Sequence, residues 1–437
     1  MACAASTRTA AISEEIRRAA RLGPEVELRP ERFGGLAYHF GTRRLSIVRR
    51  RTDEGRSLTD ELETGLDAPI CLTWELTYAC NLACVHCLSS SGRRDPRELT
   101  TAECQAVIDE LERMQVFYVN IGGGEPTVRR DFWELLDYAV AHHVGVKFSS
   151  NGSRITPEIA ARIAGTEYVD VQVSLDGATA AVNDRVRGPG SYATAIRAME
   201  NLAAAGFEGF KLSVVVTREN VSQLDAFKAL ADRYDAQLRL TRLRPSGRGA
   251  DVWDELHPTA PQQRELYEWL LAHGESVLTG DSFFHLGGYG KSLPGLNLCG
   301  AGRVVCLIDP IGDVYACPFV IHDSFRAGNV REPGGFERVW RESDLFVELR
   351  EPQHAGACTN CGLFDKCRGG CMAAKFFTGL PLAGPDPECV LGHGERLLAE
   401  RDGSPVPKPS VDMSKRSRTT PPTHPCNESP VAVLRSP

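Results

Sequence analysis

Between residues 70 and 243 apolar runs of strand length alternate with segments of helical periodicity. ICLTWELT (70–77), VFYVNI (116–121), VGVKFSS (144–150), YVDVQVSLD (168–176), FKLSVVV (210–216) and QLRLTRL (237–243) are the strand candidates. The helical candidates between them are TAECQAVIDELERM (101–114), DFWELLDYAVAHH (131–143), PEIAARIA (157–164), YATAIRAMENLAAA (192–205) and VSQLDAFKALADRY (221–234). Strand followed by helix, repeated about every thirty residues, predicts βα units on a parallel sheet. The near-continuous apolar character of the strands predicts a sheet covered by helices. Six such units fall short of the eight in a closed barrel, so the expected fold is α/β, a partial (β/α)6 barrel. Folds of this kind carry their chemistry at the carboxyl ends of the strands.

The flanks read differently. In residues 1–67, VELRPERFGGLAYHFGTRRLSIV predicts two strands joined by a short turn, amid charged and helix-like segments. Residues 401–437 are rich in Pro, Ser and Thr and hold few large apolar groups, which predicts a disordered tail. The division expected is therefore 1–67 as an N-terminal extension, 68–285 as the barrel, 286–400 as a cysteine-rich domain and 401–437 as the tail.

Composition removes several function classes. The 437 residues carry 50 Lys and Arg against 57 Asp and Glu, a formal charge of −7, which argues against nucleic acid or an anionic membrane surface as partner. No apolar run approaches the roughly eighteen residues of a spanning helix, and MACAASTRTAAISEEIRRAA lacks the apolar core of a secretion signal. A cytoplasmic location is expected. The 15 cysteines then call for an explanation other than structural disulfides, which are rare in that compartment.

Their spacing supplies one. Cys80, Cys84 and Cys87 form C-x3-C-x2-C; Cys299, Cys306 and Cys317 follow, then Cys358-x2-Cys361-x5-Cys367-x3-Cys371, then Cys389. Cys3, Cys71, Cys104 and Cys426 stand apart, Cys71 and Cys104 within strand and helix patterns where they act as small hydrophobes. A structural zinc ion wants four N or S ligands in a closed tetrahedron. The later quartet could meet that demand on spacing alone. The triplet has no fourth cysteine nearby, and His86 is an awkward substitute because it adjoins Cys87. Three thiolates on a four-iron cube instead leave one iron open for another ligand.

With these residues laid out, the chain resembles the radical S-adenosylmethionine (radical SAM) enzymes that carry a C-terminal SPASM domain. The resemblance rests on CNLACVHC (80–87) after the first strand, GGGEP (122–126) after the second, SSNG (149–152), SLDG (174–177), and the later cysteines with Gly312 between Cys299 and Cys317. It is closer still to the branch that matures the mycofactocin precursor, on DAPICLTWELTYACNLACVHCLSSSG, VFYVNIGGGEPT and RGGCMAAKFFTGLPLAGPDPEC. The resemblance implies three [4Fe–4S] clusters. One, held by Cys80, Cys84 and Cys87, would bind S-adenosylmethionine and release a 5′-deoxyadenosyl radical on reduction. Two would be auxiliary, on Cys299, Cys306, Cys317 and Cys371 and on Cys358, Cys361, Cys367 and Cys389.

For the S-adenosylmethionine contacts it implies Gly123, Gly124, Glu125, Ser149, Asn151, Ser174, Asp176 and Arg187. The glycine run would let backbone approach the cofactor, and Arg187 could be a fork donor to its carboxylate. Asn-Gly and Asp-Gly also favour turns for purely local reasons, so Ser149, Asn151, Ser174 and Asp176 have a second reading. Residue 86, often aromatic in the family, is histidine here. As partners the resemblance implies a small ribosomal peptide ending in Val-Tyr, a separate peptide-recognition chaperone and an electron donor. Its implied reaction is oxidative decarboxylation of the terminal Tyr, then Val–Tyr carbon–carbon cross-linking to a lactam. RPERFGGLAYHFGTRRLSIV resembles the opening of that chaperone, without its helical half. Thioether formation or oxidation of a sulfatase residue are alternatives within the family, and a non-catalytic iron–sulfur or zinc protein is the alternative outside it. Phe283, Phe284 and His285, in a Gly-flanked loop, are candidates for a substrate cavity.

Overall fold

The structure is a computed structural model that describes residues 23, 25–39, 44–49, 58–279, 283–295, 297–351, 358, 360–401, 403, 406 and 407. The tail expected over 401–437 lies almost wholly outside the described residues, as do Cys3 and Cys426.

Six parallel strands form the heart of the fold: β4 (Cys71–Thr77), β5 (Tyr118–Gly123), β6 (Gly145–Ser150), β7 (Val169–Ser174), β8 (Lys211–Val216) and β9 (Gln237–Arg242). They lie side by side in chain order, as expected of successive βα units. A two-residue strand, β10 (Val277–Leu278), extends the sheet beyond β9. At the opposite edge β11 (Val305–Ile308) pairs parallel with β4, and β12 (Asp313–Tyr315) and β13 (Arg326–Asn329) continue antiparallel. The sheet thus runs unbroken from the barrel into the cysteine-rich region.

The strands are not the uniformly apolar runs that the sequence suggested. In β7, Val169, Val171 and Val173 face the covering helices and join the main core. The intervening Asp170 and Gln172 face the barrel interior and line a cavity there. Thr73, Asn120, Lys147, Lys211 and Arg239 do the same from β4, β5, β6, β8 and β9. The period-2 alternation has a physical cause: an open six-unit barrel encloses a polar cavity where a closed eight-stranded one packs apolar side chains. Outside the sheet, the helix Thr101–Arg113 is typical of the covering layer. Thr100 and Glu103 close a capping box at its start, and Cys104, Val107, Ile108 and Leu111 form its buried stripe.

The N-terminal segment folds into three antiparallel strands rather than two: β1 (Val26–Glu31), β2 (Gly34–His39) and β3 (Arg44–Arg49), in the order β1-β2-β3. This small sheet is attached to the amino ends of the barrel strands. Phe33, Leu36 and Tyr38 share a buried cluster with Phe117, Leu298 and Val304. Arg29, buried and paired with Glu31 at 2.8 Å, donates to the carbonyls of Ala68, Pro69 and Gln115. The short helix Leu58–Glu63 connects it to β4. Among the described residues, no helix is long and apolar enough to cross a membrane.

Candidate functional site

The loop after β4 carries Cys80, Cys84 and Cys87 at the carboxyl end of the sheet. It is closed on itself: Cys80 N–H donates to Gly92 O (3.0 Å) and Gly92 N–H to Tyr78 O (2.8 Å). The three thiols lie within electrostatic reach of one another and are part-exposed. Arg248, which the sequence reading passed over, holds the loop from behind. Its Nε donates to Cys84 O at 2.8 Å and its Nη1 to Ser91 O at 2.9 Å. Gly247, at φ +57°, fits against the carbonyls of Cys87 and Leu88, where a Cβ would collide. The signal for this was RPSGRG just past the last barrel strand, a Gly-rich turn at a carboxyl end.

The glycine run divides into two jobs. A Cβ on Gly124 would strike the Ala79 carbonyl, and one on Gly123 (φ +93°) would come within 2.7 Å of Thr77 O. These two therefore let β5 pack against the cysteine loop, and Ser89 Oγ donates to Gly123 O across the contact (3.2 Å). At Gly122 a Cβ would meet nothing within 4 Å. The protein itself does not require glycine there, so the space in front of it is available to a ligand.

Several expected cofactor contacts are already engaged by the protein. Glu125 is buried, and its carboxylate accepts from Thr127 Oγ1 (2.5 Å), Ser150 Oγ (3.0 Å) and Asn151 N–H (2.7 Å). It ties the end of β5 to the end of β6. Asn151 reaches the cysteine loop, donating from Nδ2 to Asn81 Oδ1 at 2.8 Å. Asp176 is fully buried and pairs with His86 Nε2 (2.8 Å) and Arg187 Nε (2.7 Å), while Val215 N–H donates to its other oxygen. Burial alone would raise this carboxyl; Arg187 and His86 overcome burial and hold it well below the usual carboxylate range. Asp176 and Arg187 thus pair with each other beside the cysteine loop. Ser149 and Ser174, at the inner ends of β6 and β7, are half-buried. His86 is buried with Nδ1 lacking a hydrogen-bond partner among the described residues, an orphaned polar atom inside the cysteine loop.

The later cysteines fall into two groups that their spacing does not predict. Cys358, Cys361, Cys367 and Cys389 ring one cavity of about 440 Å3, with His285 and Asp386 in its wall. Cys299, Cys317 and Cys371 line a second, of about 290 Å3, whose other wall is the barrel interior. Phe284 and Phe319 border this second cavity. Cys306 is fully buried in the core beside Arg350. Its strand neighbour Val305 lines the cavity, so strand alternation turns Cys306 to the other face. Asp386 fastens the two groups: it accepts from Cys371 N–H (2.7 Å) and pairs with the buried Arg242 at the end of β9. Arg242 also pairs with Glu388.

Among the described residues, no three His, Cys, Asp or Glu side chains converge as a single metal ion would require. The donor sets nevertheless suit a larger, soft-ligand group. Burial pushes the Cys80, Cys84, Cys317 and Cys367 thiols up, and Cys358 up to about 11. Thiolates at these positions need a positively charged partner to offset that burial, which iron provides. Cys104 is also pushed up to about 12 by burial, but it stands alone in a helix packed on the sheet.

The chain matches the Radical SAM superfamily over residues 74–231, the SPASM iron–sulfur cluster-binding domain over 299–362 and the peptide chaperone MftB family over 19–52. It is 70% identical over 385 residues to the mycofactocin maturase MftC of Mycolicibacterium smegmatis, covering 86% of this chain and 98% of that protein. It is 69% identical over 386 residues to the mycofactocin maturase MftC of Mycobacterium tuberculosis, with the same coverages. Among solved structures, Streptococcus suis SuiB bound to precursor peptide SuiA is similar with a TM-score of 0.65 at 16% identity, over 84% of this chain and 99% of that one. Native anSMEcpe with bound AdoMet gives a TM-score of 0.56 at 16% identity, over 75% and 98%. These two share the fold. The chain belongs to the mycofactocin maturases, radical SAM enzymes with an iron–sulfur SPASM domain that modify a peptide.

Proposed function

We propose that this enzyme removes CO2 and two hydrogens from the C-terminal Tyr of a small ribosomal peptide and then joins the resulting end to the preceding Val through a carbon–carbon bond. The observation that carries the reading is the 290 Å3 cavity, which has polar barrel strands on one side and Cys299, Cys317 and Cys371 on the other. A peptide end held there would have the later cysteines on one side, and oxidative decarboxylation needs a group able to accept an electron as well as one that abstracts hydrogen. In balance, a carbon radical would take one hydrogen atom from the Tyr Cβ, an electron acceptor one electron and solvent the phenolic proton. Loss of CO2 would return an electron pair to the ring, which regains a proton. In the second step a further radical would take one hydrogen atom from the Val side chain, the carbon so opened would add to the new double bond, and one electron and one proton would complete the product.

In this reading Cys80, Cys84 and Cys87 hold the cluster that binds S-adenosylmethionine. When bound, these groups supply a one-electron sulfonium cleavage that yields a carbon radical. The chain's own part is positioning. Arg248, Gly123 and Gly124 fix the cysteine loop against the end of β5, Glu125 locks β5 to β6, and the His86–Asp176–Arg187 cluster locks the loop to β7. Gly122, Ser149 and Ser174 face the space left for the cofactor. Cys358, Cys361, Cys367 and Cys389 hold one auxiliary cluster and Cys299, Cys317 and Cys371 the other, giving three in all. Residues 68–285 generate the radical and 286–400 carry the auxiliary clusters. A separate chaperone delivers the peptide, an external donor reduces the clusters, and the enzyme works in the cytoplasm.

The test replaces Cys80, Cys84 and Cys87 together by Ala. The expected result is loss of 5′-deoxyadenosine formation with the auxiliary iron retained. The parent enzyme, given a Val-Tyr-ended peptide, should yield a product lighter by CO2 and two hydrogens. An unchanged peptide beside active sulfonium cleavage would instead favour thioether formation or another SPASM modification.

A further inference from the structure

Phe284 borders the cavity shared with the barrel, whereas its neighbour His285 lies in the wall of the other, the cavity of about 440 Å3 ringed by Cys358, Cys361, Cys367 and Cys389. Both belong to a short 3-10 turn, Phe284–Tyr289, that is wedged against the segments carrying these cysteines. A Cβ on Gly287 would come within 3.2 Å of Lys366 O, and one on Gly288 within 2.6 Å of Val390 Cγ2. The turn therefore packs directly on the chain neighbours of Cys367 and Cys389, which only glycines allow. Lys366 Nζ fastens it by donating to Gly290 O at 2.5 Å. His285 is 4% exposed, and its Nδ1 is buried without a hydrogen-bond partner among the described residues. The acids beside it are committed elsewhere. Asp386 and Glu388 both pair with Arg242, Asp386 also accepts from Cys371 N–H, and Glu388 accepts from Gln263 Nε2 at 2.7 Å. A buried imidazole nitrogen left unpartnered is costly, and a group arriving in the cavity removes that cost.

We propose that His285 donates an imidazole N–H to a sulfur of the auxiliary cluster on Cys358, Cys361, Cys367 and Cys389, and so raises the reduction potential of that cluster. The inference rests on the reading under Proposed function that these four cysteines hold such a cluster. Four thiolates complete a four-iron cube, so the histidine acts from outside the ligand set. The sulfurs of the cube are hydrogen-bond acceptors that gain negative charge on reduction. A donor aimed at them binds more strongly to the reduced state and makes reduction easier. Such a donor must be held in place, and the glycine packing against Lys366 and Val390 holds this one. The other histidine at this cavity, His393, is exposed and already meets Arg396. The cavity shared with the barrel has no histidine in its wall among the described residues, so the effect falls on one auxiliary cluster and spares the other. A cluster that is easier to reduce is also the better electron acceptor, which the oxidative step draws on.

The experiment follows the reduction potentials of the full-length, anaerobically reconstituted holoenzyme by redox titration with electron paramagnetic resonance, in the parent, His285→Phe and His285→Gln. Cys389→Ala identifies the signal of the cluster concerned. His285→Phe should keep the parent's iron content and lower the ratio of reduced to oxidised cluster about ten-fold at a fixed poise, equivalent to about 59 mV, for that signal alone. His285→Gln retains an N–H and should recover at least half of the shift. In the parent grown with isotopically labelled histidine, pulsed resonance should show a weak nitrogen coupling at the same signal, lost in His285→Phe. Unchanged potentials in His285→Phe overturn the assignment while leaving the cluster reading in place. A parent without the histidine coupling overturns it too, and decides the matter if His285→Phe fails to hold its iron. A coupling as large as that of a bound nitrogen would make His285 a ligand, and equal shifts at every cluster would mark a general packing role; either overturns the donor assignment. A Cys389→Ala protein with the parent's iron content and signals removes the cluster reading and this inference with it.

Discussion

Replacing Asp176 by Asn tests whether the cysteine loop is held by buried charge. Asp176 has no exposed surface, and it pairs with Arg187 at 2.7 Å and with His86 at 2.8 Å. At 2.7 Å and an effective dielectric of about 20, the Arg187 pair is worth about 6 kcal/mol of Coulomb energy. Desolvating the two ions offsets most of that, so the intact pair contributes little net stability. Breaking it is different. The substituted asparagine could still accept from Val215 N–H, but its amide would face two donors and leave Arg187 buried without an anion. The expected cost is about 3–5 kcal/mol, or a fall in melting temperature of about 6 °C or more. The assay is thermal unfolding of anaerobic holoenzyme, alongside 5′-deoxyadenosine formation. The double variant Asp176→Asn/Arg187→Met removes the stranded cation and should recover at least half of the lost stability. A single variant melting within about 2 °C of the parent, or a double variant melting as low as the single, would refute the reasoning. The sign with pH is fixed as well. Because the folded carboxyl is held below its ordinary range, its contribution is fully present above about pH 4 and is lost as pH falls below that. The gap between parent and Asp176→Asn should therefore narrow on acidification.

Arg248→Ala removes two bonds to the cysteine-loop carbonyls and should cut 5′-deoxyadenosine formation by about ten-fold or more while the auxiliary iron stays, as read by iron analysis and electron paramagnetic resonance. The glycines separate: Gly124→Ala collides with backbone and should cost about 2–3 kcal/mol in unfolding, whereas Gly122→Ala should melt like the parent but bind S-adenosylmethionine more weakly by calorimetry. Cys104→Ala should leave iron content and product formation unchanged, since its thiol is buried away from the cysteine groups.

Two consequences of the architecture bear on how the parts cooperate. The N-terminal sheet packs on the amino ends of the strands, opposite the cysteine loop, so it stands apart from the chemistry while sharing a buried cluster with the barrel. The SPASM region is joined to the barrel at both edges, by β11 on β4 and by Arg242 from β9. A cavity wall built from both is the result.

The sequence by itself determined the βα repeat, because apolar periodicity and turn residues are local properties of the chain. It also determined the cysteine triplet, the glycine run and the SPASM spacing, since those motifs are contiguous and their chemistry follows from residue type. Only the tertiary structure decided which cysteines share a space. Cys371 follows Cys367 closely in the chain yet faces Cys299 and Cys317, because Gly369 and Gly370 (φ +77° and +83°) turn the backbone between them. Cys306 was expected beside those three and lies across the strand, because a one-residue step reverses a side chain. Asp176, Arg187 and Glu125 have the residue types of cofactor ligands, and their pairing with His86, Ser150 and Asn151 arises from strand ends brought together by the sheet. The polar lining of the barrel was hidden for the same reason. One or two polar residues per strand read as a blemish in an apolar run, and become a polar cavity only when six strands stand side by side.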